Sequence, residues 1–159
     1  MKKRDLMRLH NGISVLEGRQ FSVKFSYFIA KNKVNMRDEI SALEEARKVS
    51  EKFKEFDTER AKLAHQYADK NEDGTAKIQD NSFVITANVD VFQEELALLK
   101  TKHSVEIEKR ENQIKEYNAI LDDTIDFKGT KIGFKDIPPT IEPSMLEVLI
   151  LADLIIEED

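Results

Sequence analysis

The residues best suited by type and spacing to do chemistry lie between positions 69 and 80. Asp69, Asn71, Asp73, Gly74 and Asp80 fall at positions 1, 3, 5, 6 and 12 of an EF-hand-type loop, with Thr75 at the position that lends a backbone carbonyl. Oxygen donors at alternate positions and a glycine at the sharp turn are what a calcium ion requires. Three departures weaken the match. Position 12 is Asp80 rather than a bidentate Glu, Ala76 stands where an apolar anchor is usual, and Lys77 brings positive charge into the loop. The segment that follows also reads as strand rather than exit helix. The sequence therefore favours an ordinary acidic turn, with calcium as the alternative cofactor and no other cofactor suggested.

Other chemistries find less support. His10, His65 and His103 are too far apart along helical runs to converge on a metal, and His103 reads as a residue of a helix seam. There is no HExxH, no di-iron Glu-x-x-His pair, no glycine-rich phosphate loop and no G-x-S-x-G elbow. The chain has no cysteine, which excludes a disulfide frame and a thiolate nucleophile. Adjacent carboxylates such as Glu44-Glu45, Glu94-Glu95 and Asp122-Asp123 do not share a helix face. The expectation is a protein that is not an enzyme.

The elements that carry these residues are long helices. Met36, Ile40, Leu43, Ala46, Val49, Phe53, Phe56, Arg60, Leu63 and Tyr67 recur every three or four residues, the spacing of a coiled-coil-like stripe. A return stripe runs through Phe92, Leu96, Leu99, His103, Ile107, Arg110, Ile114, Tyr117 and Leu121. No Gly or Pro falls between Arg19 and Asp73 or between Thr75 and Lys128; either would disfavour a helix interior, by roughly 1 and 3 kcal/mol. The spacing predicts a mainly α fold: one antiparallel helical hairpin over residues 36–121, with a turn and small β-hairpin at about 69–87. Tyr67 then lies near Val91, and Met36 near Asp122. Segments 21–35 and 123–137 arrive at the same end.

Those segments predict a compact α+β head from residues 1–35 and 122–159, with the hairpin projecting from it. Leu6, Leu9, Ile13 and Leu16 mark a helix over 3–17, weakened by Gly12 and stopped by Gly18. The long helix begins near Val23 after a short extended entry. Asn88 offers a cap to the return helix, with Asp90 in its first turn. Ile125, Phe127, Ile132 and Phe134 alternate about Lys128-Gly129 and predict a second β-hairpin. Ser144 and Glu147 form a capping box for a last helix, Met145 to Ile156, apolar enough to require burial.

Charge limits the partners. A net charge of −6 argues against a general grip on nucleic acid, and the basic opening Lys2-Lys3-Arg4 reads as a solvated helix start. No apolar run is long enough to predict a membrane span, and the N-terminus lacks a secretory leader pattern. The like-charge row Glu51, Glu55 and Glu59 opposes its own helix and suggests a basic partner. Phe53 and Phe56, beside the weak seam at His103, suggest a second hairpin as cover. A homo-oligomer is therefore an expectation, and these five residues are the candidate partner-binding set.

The run Val23-Lys24-Phe25-Ser26-Tyr27-Phe28-Ile29-Ala30-Lys31-Asn32 resembles a segment of a family of small uncharacterised proteins from tailed phages and prophages. So do Glu44-Glu45-Ala46-Arg47, Asn71-Glu72-Asp73-Gly74, and the ending from Ile141-Glu142-Pro143 to Ile156-Glu157. The order matches over most of the chain, with a longer return arm at about Lys100 to Leu121. The resemblance implies a phage origin and carries no activity or functional residues. The resulting expectation is a non-enzymatic protein-interaction module acting in virion assembly or as a minor virion component. It would be found in the bacterial host cytoplasm or in the virion. The alternative is a host-directed inhibitor that binds a bacterial defence or transcription protein.

Overall fold

The computed structural model describes residues 1–156. The fold is mainly α with small β elements. It divides into two units, 1–47 with 115–159 and 48–114, so the division falls further along the helical arms than the expected 35/36 and 121/122. Residues 157–159 of the expected head lie outside the described residues.

The first unit begins with α1 (Lys3–Val15), whose Leu6, Leu9 and Ile13 are buried, as their three- and four-residue spacing requires. Gly12 lies inside this helix, where a Cβ would come within 2.6 Å of the Met145 sulfur. α2 (Val23–Ala46) starts where Ser22 caps it, its hydroxyl accepting from the Phe25 amide at 3.3 Å. Phe25 stacks on Phe28 at 5.6 Å and meets the edge of Phe21 at 5.0 Å. With Met36 and Ile40 these residues join α1 in one core.

The C-terminal part of the chain completes this unit. Met1 exchanges hydrogen bonds with Ile125, its ammonium donating to the Ile125 carbonyl at 3.1 Å and the Ile125 amide to Met1 at 2.9 Å. Lys2 and Arg4 pair with Asp122 at 3.0 and 2.7 Å, and Lys3 with Glu39 at 2.9 Å. The basic opening is thus an internal clasp. Asn32 is fully buried and binds residue 130 twice, accepting from the Thr130 amide at 2.9 Å and donating to its carbonyl at 2.9 Å. Lys24 also pairs with Asp136. Segments 21–35 and 123–137 therefore meet, as the hairpin arithmetic requires.

Two expectations in this unit are corrected. The second β-hairpin does not form. β3 (Ile132–Gly133) pairs in parallel with β4 (Ile155–Ile156), while Phe134–Asp136 is a 3-10 turn and Ile125 joins the N-terminus. Alternation marked β3 alone: 125–127 forms no strand, and Ile155–Ile156 falls where the last helix was expected. The last helix, α6 (Pro143–Leu151), is also shorter than expected and opens on Pro143 after Glu142, without a side-chain cap from Ser144. Asp153 takes a left-handed φ of 54°, which ends the helical path and turns Leu154 into the core. Only Met145 and Leu149 of α6 are buried; Ile150 and Leu151 face outward.

In the second unit, α3 (Glu51–Tyr67) is separated from α2 by residues 47–50, so the outgoing arm is not one helix. Ser50 is the cause that can be named: its hydroxyl accepts from the Phe53 amide at 3.2 Å and starts a new helix, with Glu51 favourably in its first turn. The return arm is also two helices, α4 (Val89–Lys102) and α5 (Ser104–Asp122), interrupted at His103. Asn88 is the N-cap of α4 by position, but it is left-handed and its side chain makes no capping bond.

Between α3 and α4 the small hairpin forms as expected. β1 (Ile78–Gln79) pairs antiparallel with β2 (Ser82–Phe83). Asp80 and Asn81 both have positive φ, 49° and 59°, the signature of a two-residue turn matched to strand twist. α3 and α4 then run antiparallel. Tyr67 meets Phe92 with ring centroids 5.9 Å apart, Glu59 meets Lys102 at 2.7 Å, and Phe56 meets His103 at 5.5 Å.

Candidate functional site

The acidic loop is held by its own chain. Both carboxylate oxygens of Asp69 accept from Thr86, from its amide at 3.1 Å and its hydroxyl at 2.7 Å. These donors, with the Ala87 amide, hold the Asp69 carboxyl below its usual range. Asp73 accepts from the Thr75 hydroxyl and amide at 2.6 and 2.9 Å, which lowers its pKa in the same way. Asn71 donates to the Thr75 hydroxyl at 3.0 Å, and Asp80 belongs to the hairpin turn. The geometry is an Asx-type turn locking the α3–β1 connection. Among the described residues, no group of three His, Cys, Asp or Glu side chains is arranged to hold a metal.

The row of glutamates is split by its surroundings. Glu51 pairs with Lys54 at 2.6 Å, and Glu59 reaches across to Lys102. The Lys102 ammonium lowers the Glu59 pKa, with a smaller contribution from His103. Glu55 stays exposed. Phe56 is buried in the α3–α4 seam between Phe53 and His103, so its cover comes from its own chain. Phe53 is half-buried beside it. The His103 Nε2 is buried without a hydrogen bond, 3.4 Å from a Glu59 oxygen.

The seam leaves bare the flank of the return arm that lies next to it. Phe92, Leu96 and Leu99 are half-buried, whereas Val91, Leu98 and Val105 are exposed by 46%, 71% and 59%. Val91 and Leu98 lie seven residues apart on α4 and so share one line of its surface, and Val105 lies seven further on, past the break at His103, at the start of α5. No residue of α4 or α5 is fully buried. Beside Leu98, a groove of about 620 Å³ runs between α3 and α4 over Leu63 and Leu99, edged by Glu59, Lys62, Glu95 and Lys102. The signal for this face was present in the sequence as a second heptad line next to the one chosen.

No protein-family model, curated protein or solved structure matches this chain. Its site must be read from its own geometry, which offers apolar surface edged by charge. No helix among the described residues is long and apolar enough to cross a membrane.

Proposed function

We propose that this chain is a non-enzymatic protein-interaction module whose binding surface is the outer face of α4 and the start of α5. The observation that carries the reading is the bare line Val91, Leu98 and Val105 on a helix pair that buries almost nothing: only Phe56 and Ala68 are buried in 48–114. Single exposed apolar residues are ordinary, but Leu98 borders a groove over Leu63 and Leu99 that is edged by charge, the form of a docking surface. A partner helix laid on it would remove several large side chains from water, at roughly 1.5–3 kcal/mol for each one fully covered.

The resemblance to tailed-phage proteins supports a place in virion assembly or as a minor virion component. The test is fractionation of an infected culture. Co-migration with virions or assembly intermediates supports it, and absence from both overturns it. The second reading, a host-directed inhibitor, draws on the exposed Glu55 and on Glu51, which pairs with Lys54 on its own helix. Early expression with recovery of a host defence or transcription protein would favour it. In either reading Leu98→Asp abolishes the association while leaving the helical content unchanged.

A further inference from the structure

We infer that the partner seated on the α4 face is a second copy of this chain, packed antiparallel about a two-fold axis at Leu98. This rests on the reading of that face as the binding surface and names its occupant. The argument is self-complementarity, which a symmetric dimer demands of one patch against itself. With Leu98 on the axis, Val91 stands opposite Val105 of the second copy, seven residues before against seven after.

The charges agree with that register. Glu95 and Lys102 flank Leu98 on the groove side. In the antiparallel arrangement Lys102 lies beside Glu95 of the second copy, and the pair occurs twice by symmetry. Lys102 already pairs with Glu59 at 2.7 Å, and its ammonium has three protons, enough to bridge both carboxylates. Glu94, on the other flank, meets Thr101 of the second copy. A parallel pairing would instead set Glu94 against Glu95, two like charges in contact. Each Leu98 lies against its counterpart on the axis, at the edge of the groove over Leu63 and Leu99. The result is a four-helix arrangement in which each α3–α4 pair covers the face that the other leaves bare.

The absence of native cysteine makes the register directly testable. The wild-type chain should sediment at twice its 18.4 kDa mass at roughly 100 μM, where an interface of micromolar Kd is mostly filled. Leu98→Asp should return it to one mass with an unchanged circular dichroism spectrum. Under mild oxidation Leu98→Cys should cross-link to itself, because only a residue on the axis meets its own copy. Val91→Cys alone should not, whereas Val91→Cys mixed with Val105→Cys should. A single-chain mass at that concentration overturns the dimer, and self-linking of Val91→Cys overturns the antiparallel register. A single-chain mass combined with virion association would discard the dimer and keep the interaction module.

Discussion

Replacing Asn32 with alanine probes the joint between α2 and the 128–130 turn. The side chain is fully buried and makes three hydrogen bonds, two with Thr130 and one donated to the Phe28 carbonyl at 3.1 Å. The Phe28 carbonyl keeps its place in the helix. The Thr130 amide and carbonyl lose their partners in a half-buried setting. An unsatisfied group of this kind costs about 1–3 kcal/mol, so the two together should cost roughly 3 kcal/mol. With a urea dependence of about 2 kcal/mol per molar for a small domain, the midpoint should fall by about 1.5 M. Asn35→Ala is the control: its amide reaches the Lys128 carbonyl at 3.4 Å on the exposed surface, and it should stay within about 0.5 kcal/mol. Asn32→Asp should destabilise as much at neutral pH, because a buried carboxylate would face the two carbonyls. Burial would raise that carboxyl's pKa in the folded state, so this variant should regain stability as pH falls through it. If Asn32→Ala unfolds with the same midpoint as Asn35→Ala, residues 32 and 130 are not joined as described.

Further perturbations test other parts of the fold. Gly129→Ala should destabilise by about 1–3 kcal/mol in thermal melts, because its Cβ would lie 2.2 Å from Leu154 and 2.8 Å from the Phe127 ring. Gly12→Ala should cost much less, since only the flexible end of Met145 must move and alanine favours the helix by about 1 kcal/mol. Ser50→Ala should cost about 1 kcal/mol, read as faster amide exchange at the start of α3, and no change there would refute the cap. The depressed Asp69 pKa means that its contribution is present above the ordinary Asp value of 3.8 and is lost as pH falls through the lower folded value. Amide exchange at Thr86 and Ala87, corrected for its intrinsic pH dependence, should rise only in that acidic window. Calcium at about 1 mM, where weak loops of this type begin to fill, should leave the melting temperature unchanged. A clear rise would favour the calcium reading of Asp69, Asn71, Asp73 and Asp80.

Much of this architecture was legible because helical spacing and turn chemistry are local. The start of α2 at Val23, the small β-hairpin within 69–87 and the fold-back of α4 on α3 all followed from neighbouring residues. The break before Ser50 was written in the sequence, but an unbroken apolar stripe hid it: Val49 and Phe53 keep the helical period across the gap. The parallel pairing of β3 with β4 had no local signature, since Ile155 and Ile156 continue the apolar run of the last helix and only Asp153 turns them out of it. The burial of Asn32 depends on a residue 98 positions away. On α4 the stripe Phe92, Leu96 and Leu99 faces the seam as its spacing predicts, and the exposure of the neighbouring Val91 and Leu98 shows only once that seam is in place. The identity of whatever covers that outer line is a property of two surfaces, and one sequence describes only the first.

The account depends most on α4 lying back along α3, because that pairing decides which face of α4 is left bare. Spin labels on cysteines introduced at Lys62 and Lys102, both lining one groove, measure it directly. Labelled chains diluted into unlabelled chains report only the distance within one molecule. Helices in contact lie about 8–10 Å apart, so the label separation should be roughly 25 Å or less. The same 40 residues laid out as continuous helix would span about 60 Å at 1.5 Å per residue. A distance approaching that value would contradict the fold-back and the surface built on it.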